Sequence, residues 1–292
     1  MTQEQPKQPE KAEDKFKFQI IYLIPILASL FFGLGCAYLL APQPTENIPS
    51  PLPIPETTPG APIGNALYFV VLIAISATIF YILIKRRSKK IIKGLIIVAM
   101  TTASLLLSLV YLSAIFAYLP NWDFLTIPLA IAITVLFDLS IFKFGSMARN
   151  VAVICVGGAL GIFFGKYIPL WSAVLILAFL AVYDVIAVYK GPVGKIAESG
   201  GGLDQLQGLS FSFKDIQMGL GDLVFYSMLT GVVFFNFLQS ILPGVMAIFG
   251  ILVGSIITFF MLEKKGIFPG LPFPIMLGLA LGLITGFLIV PP

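Results

Sequence analysis

Nine stretches of this chain stay apolar over lengths that match the hydrocarbon core of a bilayer, where a helix needs about 20 residues to cross. They run roughly over 19–41, 62–84, 94–119, 124–142, 148–165, 168–189, 216–238, 240–262 and 269–290. The fourth and fifth are the shortest. Only Gln239 and Ser240 divide the seventh from the eighth, with Pro243 soon after. In lipid every backbone polar group needs a partner within the protein, so runs of this length fold as helices. The expected fold is therefore an all-α polytopic membrane protein of nine transmembrane helices. Composition agrees: 58% of the 292 residues are hydrophobic and 11% are charged, against about 25% charged in a soluble domain.

Positive charge gives an orientation, because cytoplasmic loops carry the excess of Lys and Arg. With the N-terminus cytoplasmic and the C-terminus external, the inner segments hold Lys7 to Lys17, the Lys85–Lys93 cluster, Lys143, Arg149, Lys190 to Lys214, Lys264 and Lys265. The outer segments hold Lys166 alone, so 17 of the 18 basic residues lie on one side. Removing or adding a span in mid-chain would scramble that alternation. The net charge of +4 is then a topology signal and a contact for anionic lipid, and it calls for no nucleic acid. The first apolar run is longer than a signal-peptide core of about 7–15 residues and follows an 18-residue tail, so it is expected to be a retained span.

The expected organisation is a cytoplasmic tail over 1–18, helices one to six over 19–190, a flexible cytoplasmic loop over 191–214 around Gly200-Gly201-Gly202, and helices seven to nine over 215–292. Residues 42–61 are rich in Pro and read as an extended external linker. There is no internal repeat of the kind that many transporters show.

The chain contains no histidine and two cysteines, Cys36 and Cys155. Ser-His and Cys-His hydrolysis, HExxH zinc chemistry and His-ligated haem are excluded. The cysteines lie near opposite ends of their spans and are expected as free thiols. Any chemistry must rest on carboxylates, Lys, Tyr, Ser or the backbone.

Carboxylates inside spans are costly, about 2.5–3.5 kcal/mol each on insertion scales, and mark functional positions by default. There are three: Asp138, Asp184 and Asp222. Asp184 lies six residues before Lys190, about 9 Å inside the cytoplasmic boundary. Asp222 lies eight residues after Lys214, about 12 Å inside the same boundary. The two thus sit at nearly one level on antiparallel spans. Asp138, about 7–8 Å from the edge beside Lys143, reads as a snorkelling or helix-pairing residue.

Two further features sit at the level of Asp184 and Asp222. Gly219 and Gly221 flank the start of the seventh span, and Gly219 is expected one turn from Asp222 on its helical face, leaving a gap beside the carboxylate. Pro269-Gly270-Leu271-Pro272, followed by Phe273 and Pro274, opens the ninth span with three prolines that break its first turns. Such backbone is tolerated at membrane depth only against protein or a water-filled cavity. By contrast, the four-residue ladders Gly157, Gly161, Gly165 and Gly278, Gly282, Gly286 read as packing seams.

Two carboxylates at one depth, opened to water, suit aspartic hydrolysis. Like charges in low dielectric share one proton and titrate as a unit. The ionised Asp takes a proton from water as it attacks an amide carbonyl, and the protonated Asp supplies the proton that lets the amine leave. No metal or cofactor is needed.

Three motifs in chain order resemble those of the presenilin and signal peptide peptidase family of intramembrane aspartyl proteases. Tyr183-Asp184, continuing to Pro192, resembles the family's sixth-span motif. Gly219-Leu220-Gly221-Asp222 resembles its GxGD motif, which prepilin peptidases also carry. Pro269-Gly270-Leu271-Pro272 resembles its Pro-Ala-Leu motif, with Gly270 in place of Ala. The topology is similar to presenilins rather than to the inverted signal peptide peptidases.

The resemblance implies Asp184 and Asp222 as the catalytic pair, with Tyr183, Gly219, Leu220, Gly221, Pro269, Gly270, Leu271 and Pro272 as substrate-facing or site-shaping residues. It implies transmembrane-helix proteins as substrates, an integral cell-membrane location, and a compact microbial homologue acting alone or as a homo-oligomer with no obligate partner subunit. The short loop before the seventh span puts the family's self-cleavage there in question. Two other readings of the residues stay open: an ion channel or proton-coupled transporter that relays charge through the carboxylates, and a prepilin peptidase-like protease.

Overall fold

The structure, a computed structural model, describes residues 17–44, 51–86, 88–119, 121–191, 208–213 and 216–289. Its helices are α1 (Ile24–Leu40, entered through a 3-10 turn at Ile20–Leu23), α2 (Ala61–Lys85), α3 (Lys89–Phe116), α4 (Thr126–Phe142), α5 (Ser146–Tyr167), α6 (Leu170–Tyr189), α7 (Leu220–Asn236), α8 (Leu242–Lys265) and α9 (Pro272–Ile289). Eight of these segments are long and apolar enough to cross a membrane, and α7 is a shorter apolar helix. The fourth and fifth spans, short in the sequence, are full-length helices. Most of the expected tail over 1–18 and of the loop over 191–214 lies outside the described residues.

The expectation of a purely helical chain needs one correction. The seventh element begins not with a helix at 216 but with an antiparallel hairpin, β1 (Ser210–Phe213) paired to β2 (Ile216–Gly219), in the register Ser210 to Gly219 and Phe213 to Ile216. Both strands alternate polar with apolar residues, the two-residue period of a pleated ribbon. Read only for apolar content, β2 merges into the span behind it. Gly208, at φ +102°, takes the left-handed turn that leads into the ribbon, a conformation open to glycine. The Leu220 N–H donates to the Leu209 carbonyl at 2.7 Å, so the hairpin runs directly into α7.

Helix α7 is the centre of the bundle. It lies against α5, α1, α8, α9 and α6, and nearly every residue from Leu223 to Phe234 is buried. Its short length reflects that setting, since its neighbours cover it. Helix α2 is the opposite case: Ile63, Leu67, Val71 and Ile75 are all about half exposed, the pattern of a helix facing lipid.

The glycine ladders form the two seams that hold α7. A Cβ on Gly161 would stand 2.3 Å from the Val224 carbonyl oxygen and 2.7 Å from the Met228 nitrogen, and one on Gly165 would stand 2.7 Å from the Val232 nitrogen. Backbone meets backbone along α5 and α7, as small-residue packing permits. In α9, Gly278 faces Ile251 and Leu229, Gly282 faces Val233 and Ala247, and Gly286 faces the Phe237 ring.

Part of the Pro-rich segment is also fixed. Over 51–60 it folds into turns rather than extending. Asn65 of α2 accepts from the Ile54 N–H at 3.1 Å and donates to the Ile54 carbonyl at 3.0 Å. Its amide also donates to Ser172 of α6, which donates to Glu56. At the same end of the bundle as the α1 and α5 termini, Lys166 donates to the Ala41 carbonyl and lies 4.9 Å from the centroid of the Phe235 ring.

Candidate active site

Asp184 sits near the C-terminal end of α6, six residues before Lys190. Asp222 sits in the first turn of α7. Gly219 is not helical, as its position before Asp222 had implied. It is the N-cap residue, with extended φ −72° and ψ 145°. Asp222 is therefore the third helical residue, and its carboxylate lies toward the Gly219 N–H. A side chain at that position closing on the N-cap amide is the geometry of a capping box. The partial positive charge of the helix start further favours a carboxylate there.

The segment before α9 joins the two carboxylates. The Leu271 N–H donates to Asp184 Oδ2 at 2.9 Å, and the Gly270 N–H also faces Asp184. A Cβ on Gly270 would stand 3.2 Å from Asp222 Oδ2 and 3.4 Å from its Cγ. The Gly270 carbonyl accepts from the Tyr226 hydroxyl at 2.9 Å. One dipeptide thus meets Asp184 through its amides, faces Asp222 with the open side of Gly270, and holds α7 again through its carbonyl. The irregular backbone is shorter than the prolines implied. It ends at Leu271, and Pro272 begins α9, where its missing N–H is one of the donors that a helix start leaves free.

The remaining expected residues divide. Tyr183 is half-buried beside Asp184, Gly221 is exposed, and Pro269 is buried. Leu220 turns away from the carboxylates: its Cδ1 would meet a Cβ on Gly157 at 3.2 Å, so it packs on the α5 seam. Asp138 stands apart. Thr101 of α3 donates to its Oδ2 at 2.7 Å, joining α3 to α4. That is the helix-pairing role.

Tyr226 was not singled out from the sequence. Its signal was its place four residues after Asp222, one turn along the same face of α7. A cavity of about 160 Å³ opens beside Asp222 and Tyr226, lined also by Met218, Ser255, Thr258, Phe259, Leu262, Phe268 and Gly270. A larger cavity, about 450 Å³, lies between α1, α3, α4 and α5, with both cysteines on its apolar walls and no carboxylate. The cysteines are free thiols. Among the described residues no three His, Cys, Asp or Glu side chains stand together as a metal site.

The family model for signal-peptide peptidase, presenilin aspartyl protease matches residues 39–197. The chain belongs to this family. The match contains Asp184 and ends before the hairpin. The fold carries the likeness through the rest of the chain. A solved structure of a presenilin family intramembrane aspartate protease in a C222 crystal superposes with a TM-score of 0.64 at 19% identity, covering 91% of this chain and 98% of that one. A structure with the same description in a P2 crystal gives 0.61 at 18% identity, covering 94% and 100%. The protein has the presenilin-like fold of a multi-pass membrane protein.

Proposed function

We propose that this protein is an intramembrane aspartyl protease that hydrolyses peptide bonds within the transmembrane helices of its substrates, with Asp184 and Asp222 as the catalytic pair. The observation that carries this reading is the meeting of both carboxylates on the Gly270–Leu271 backbone. Two carboxylates brought to one short backbone segment are preorganised to share a proton. One takes a proton from water as the water oxygen bonds to the scissile carbonyl carbon. The other supplies the proton to the departing nitrogen as the C–N bond breaks. Membership of a family of aspartyl proteases supports the assignment.

In this reading α7 is the seventh of nine spans. The N-terminus is cytoplasmic, the C-terminus is external, and the protein resides in the cell membrane as a monomer or homo-oligomer. Tyr183 and Pro269 to Pro272 shape the site. A substrate helix must unwind at the cut and offer its amides to a partner. The Leu271 N–H and Gly270 carbonyl are already engaged within the protein. The ribbon that leads into Asp222 is then the element able to accept an added strand.

The test is incubation of purified protein in detergent micelles with a single-span substrate, with each cut mapped by mass spectrometry. Cuts inside the span support the reading. Cuts confined to a leader next to the cytoplasmic face would replace it with a prepilin peptidase-like one. Asp-dependent ion flux in liposomes without cleavage would replace it with a channel.

A further inference from the structure

Serine and threonine inside these helices usually turn their hydroxyls back onto the preceding turn. Ser255 donates to the Ile251 carbonyl at 2.8 Å, Thr230 to Tyr226 at 3.1 Å, Thr134 to Ala130 at 2.7 Å and Thr285 to Leu281 at 2.6 Å. Thr258 of α8 does not. It is 6% exposed, and its Oγ1 is buried with no hydrogen-bond partner among the described residues. A buried hydroxyl in that condition is destabilising unless something else satisfies it.

Thr258 lines the cavity beside Asp222. The other polar groups on that wall are the Asp222 carboxylate, the Tyr226 hydroxyl and the Ser255 hydroxyl. Tyr226 spends its proton on the Gly270 carbonyl and Ser255 spends its proton on Ile251, so among the hydroxyl residues that line the cavity Thr258 is the one whose proton has no acceptor among the described residues. A buried water needs room and two to four polar partners. The cavity of about 160 Å³ is several times the roughly 30 Å³ that one water occupies in the liquid. Met218, Phe259, Leu262 and Phe268 supply its apolar lining.

We propose that this chamber is a water-binding site and that Thr258 positions the hydrolytic water against Asp222. The inference rests on the proteolytic reading above and adds the route by which water reaches the pair. The Thr258 Oγ1–H donates to the water oxygen, and the water donates to the Asp222 carboxylate. When substrate is seated, the water oxygen bonds to the carbonyl carbon, its proton passes to the carboxylate pair, and the C–N bond breaks with a proton going to the amine. Thr258 is a positioning residue, since it touches the water and keeps its own proton.

The experiment compares the full-length protein with Thr258→Val and Thr258→Ser. Val keeps the shape and removes the hydroxyl, whereas Ser keeps the hydroxyl. With a single-span substrate, Thr258→Val is expected to lower kcat roughly 10-fold with KM unchanged, and Thr258→Ser to restore it. A Val variant with wild-type kcat, or one whose loss lies in KM alone, overturns the proposal. Radiolytic hydroxyl-radical footprinting, which marks side chains next to bound water, decides the matter independently of cleavage. Buried Met218 and Tyr226 should be labelled in the wild type and less so in Thr258→Val. Their protection in the wild type overturns the proposal. A wild type that labels there but does not cleave would contradict the proteolytic reading while leaving the water site standing.

Discussion

The Leu271 N–H donates to Asp184 Oδ2 at 2.9 Å, so a carboxylate on α6 is anchored by main chain from the start of α9, 87 residues away in sequence. The anchor is backbone, and its orientation depends on where the Gly270–Leu271 peptide sits. That peptide is held in turn by the Tyr226 hydroxyl and lies beside Asp222. The site is therefore sensitive to residues that carry no charge.

Gly270 is the first of these. A Cβ there would stand 3.2 Å from Asp222 Oδ2, a contact that a small shift of the carboxylate relieves. Gly270→Ala is expected to keep cleavage within a few-fold of wild type. Gly270→Val adds branches that push Asp222 aside, and a misplacement near 1 Å costs about 100-fold in rate. Cleavage kinetics of the two variants, with unfolding midpoints as a check on integrity, test this.

Tyr226→Phe removes the donor to the Gly270 carbonyl and leaves that oxygen without its partner. Such a loss costs about 1–3 kcal/mol. The expected result is a folded protein with kcat/KM lowered about 10-fold. The comparison with wild type on one substrate measures it.

The α5–α7 seam sets the position of Asp222 from below. Gly161→Ala would drive a methyl group against the Val224 carbonyl and Ser227, and overpacking of this kind costs about 1–3 kcal/mol. Gly94→Ala on α3 meets nothing within 4 Å and should be neutral or slightly stabilising, since Ala is the better helix former. Thermal unfolding in detergent should separate the two.

Asp138 should behave unlike the other two aspartates. Asp138→Asn keeps an acceptor for Thr101 and should leave cleavage unchanged. Asp138→Ala should lower stability by about 1–2 kcal/mol with little effect on kcat. Parallel unfolding and cleavage measurements check both.

Much of this arrangement was legible in the sequence because the bilayer imposes strong rules. Apolar run length located the helices, whereas the depth of Asp222, counted as helix rise from Lys214, made no allowance for the strand at Ile216–Gly219. The glycine ladders declared their seams by their four-residue period. The remaining features have no comparable signal in the sequence. Ile216 to Gly219 is too short for its two-residue alternation to stand out from the apolar run behind it, so the sequence reads β2 and Gly219 as part of the helix. Pro272 and Pro274 looked like breaks, although the first turn of a helix tolerates both. Thr258 and Ser255 carry no local signal at all, because only the packing of α8 beside α7 brings them to Asp222.

Whether Asp184 and Asp222 act together on water is read from the rate of single-span substrate cleavage by Asp184→Asn and Asp222→Asn. Each substitution keeps the shape of the side chain and removes its ability to ionise. For a joint action, both variants, folded as judged by their unfolding midpoints, fall to the background rate. Wild-type cleavage by either one would contradict it.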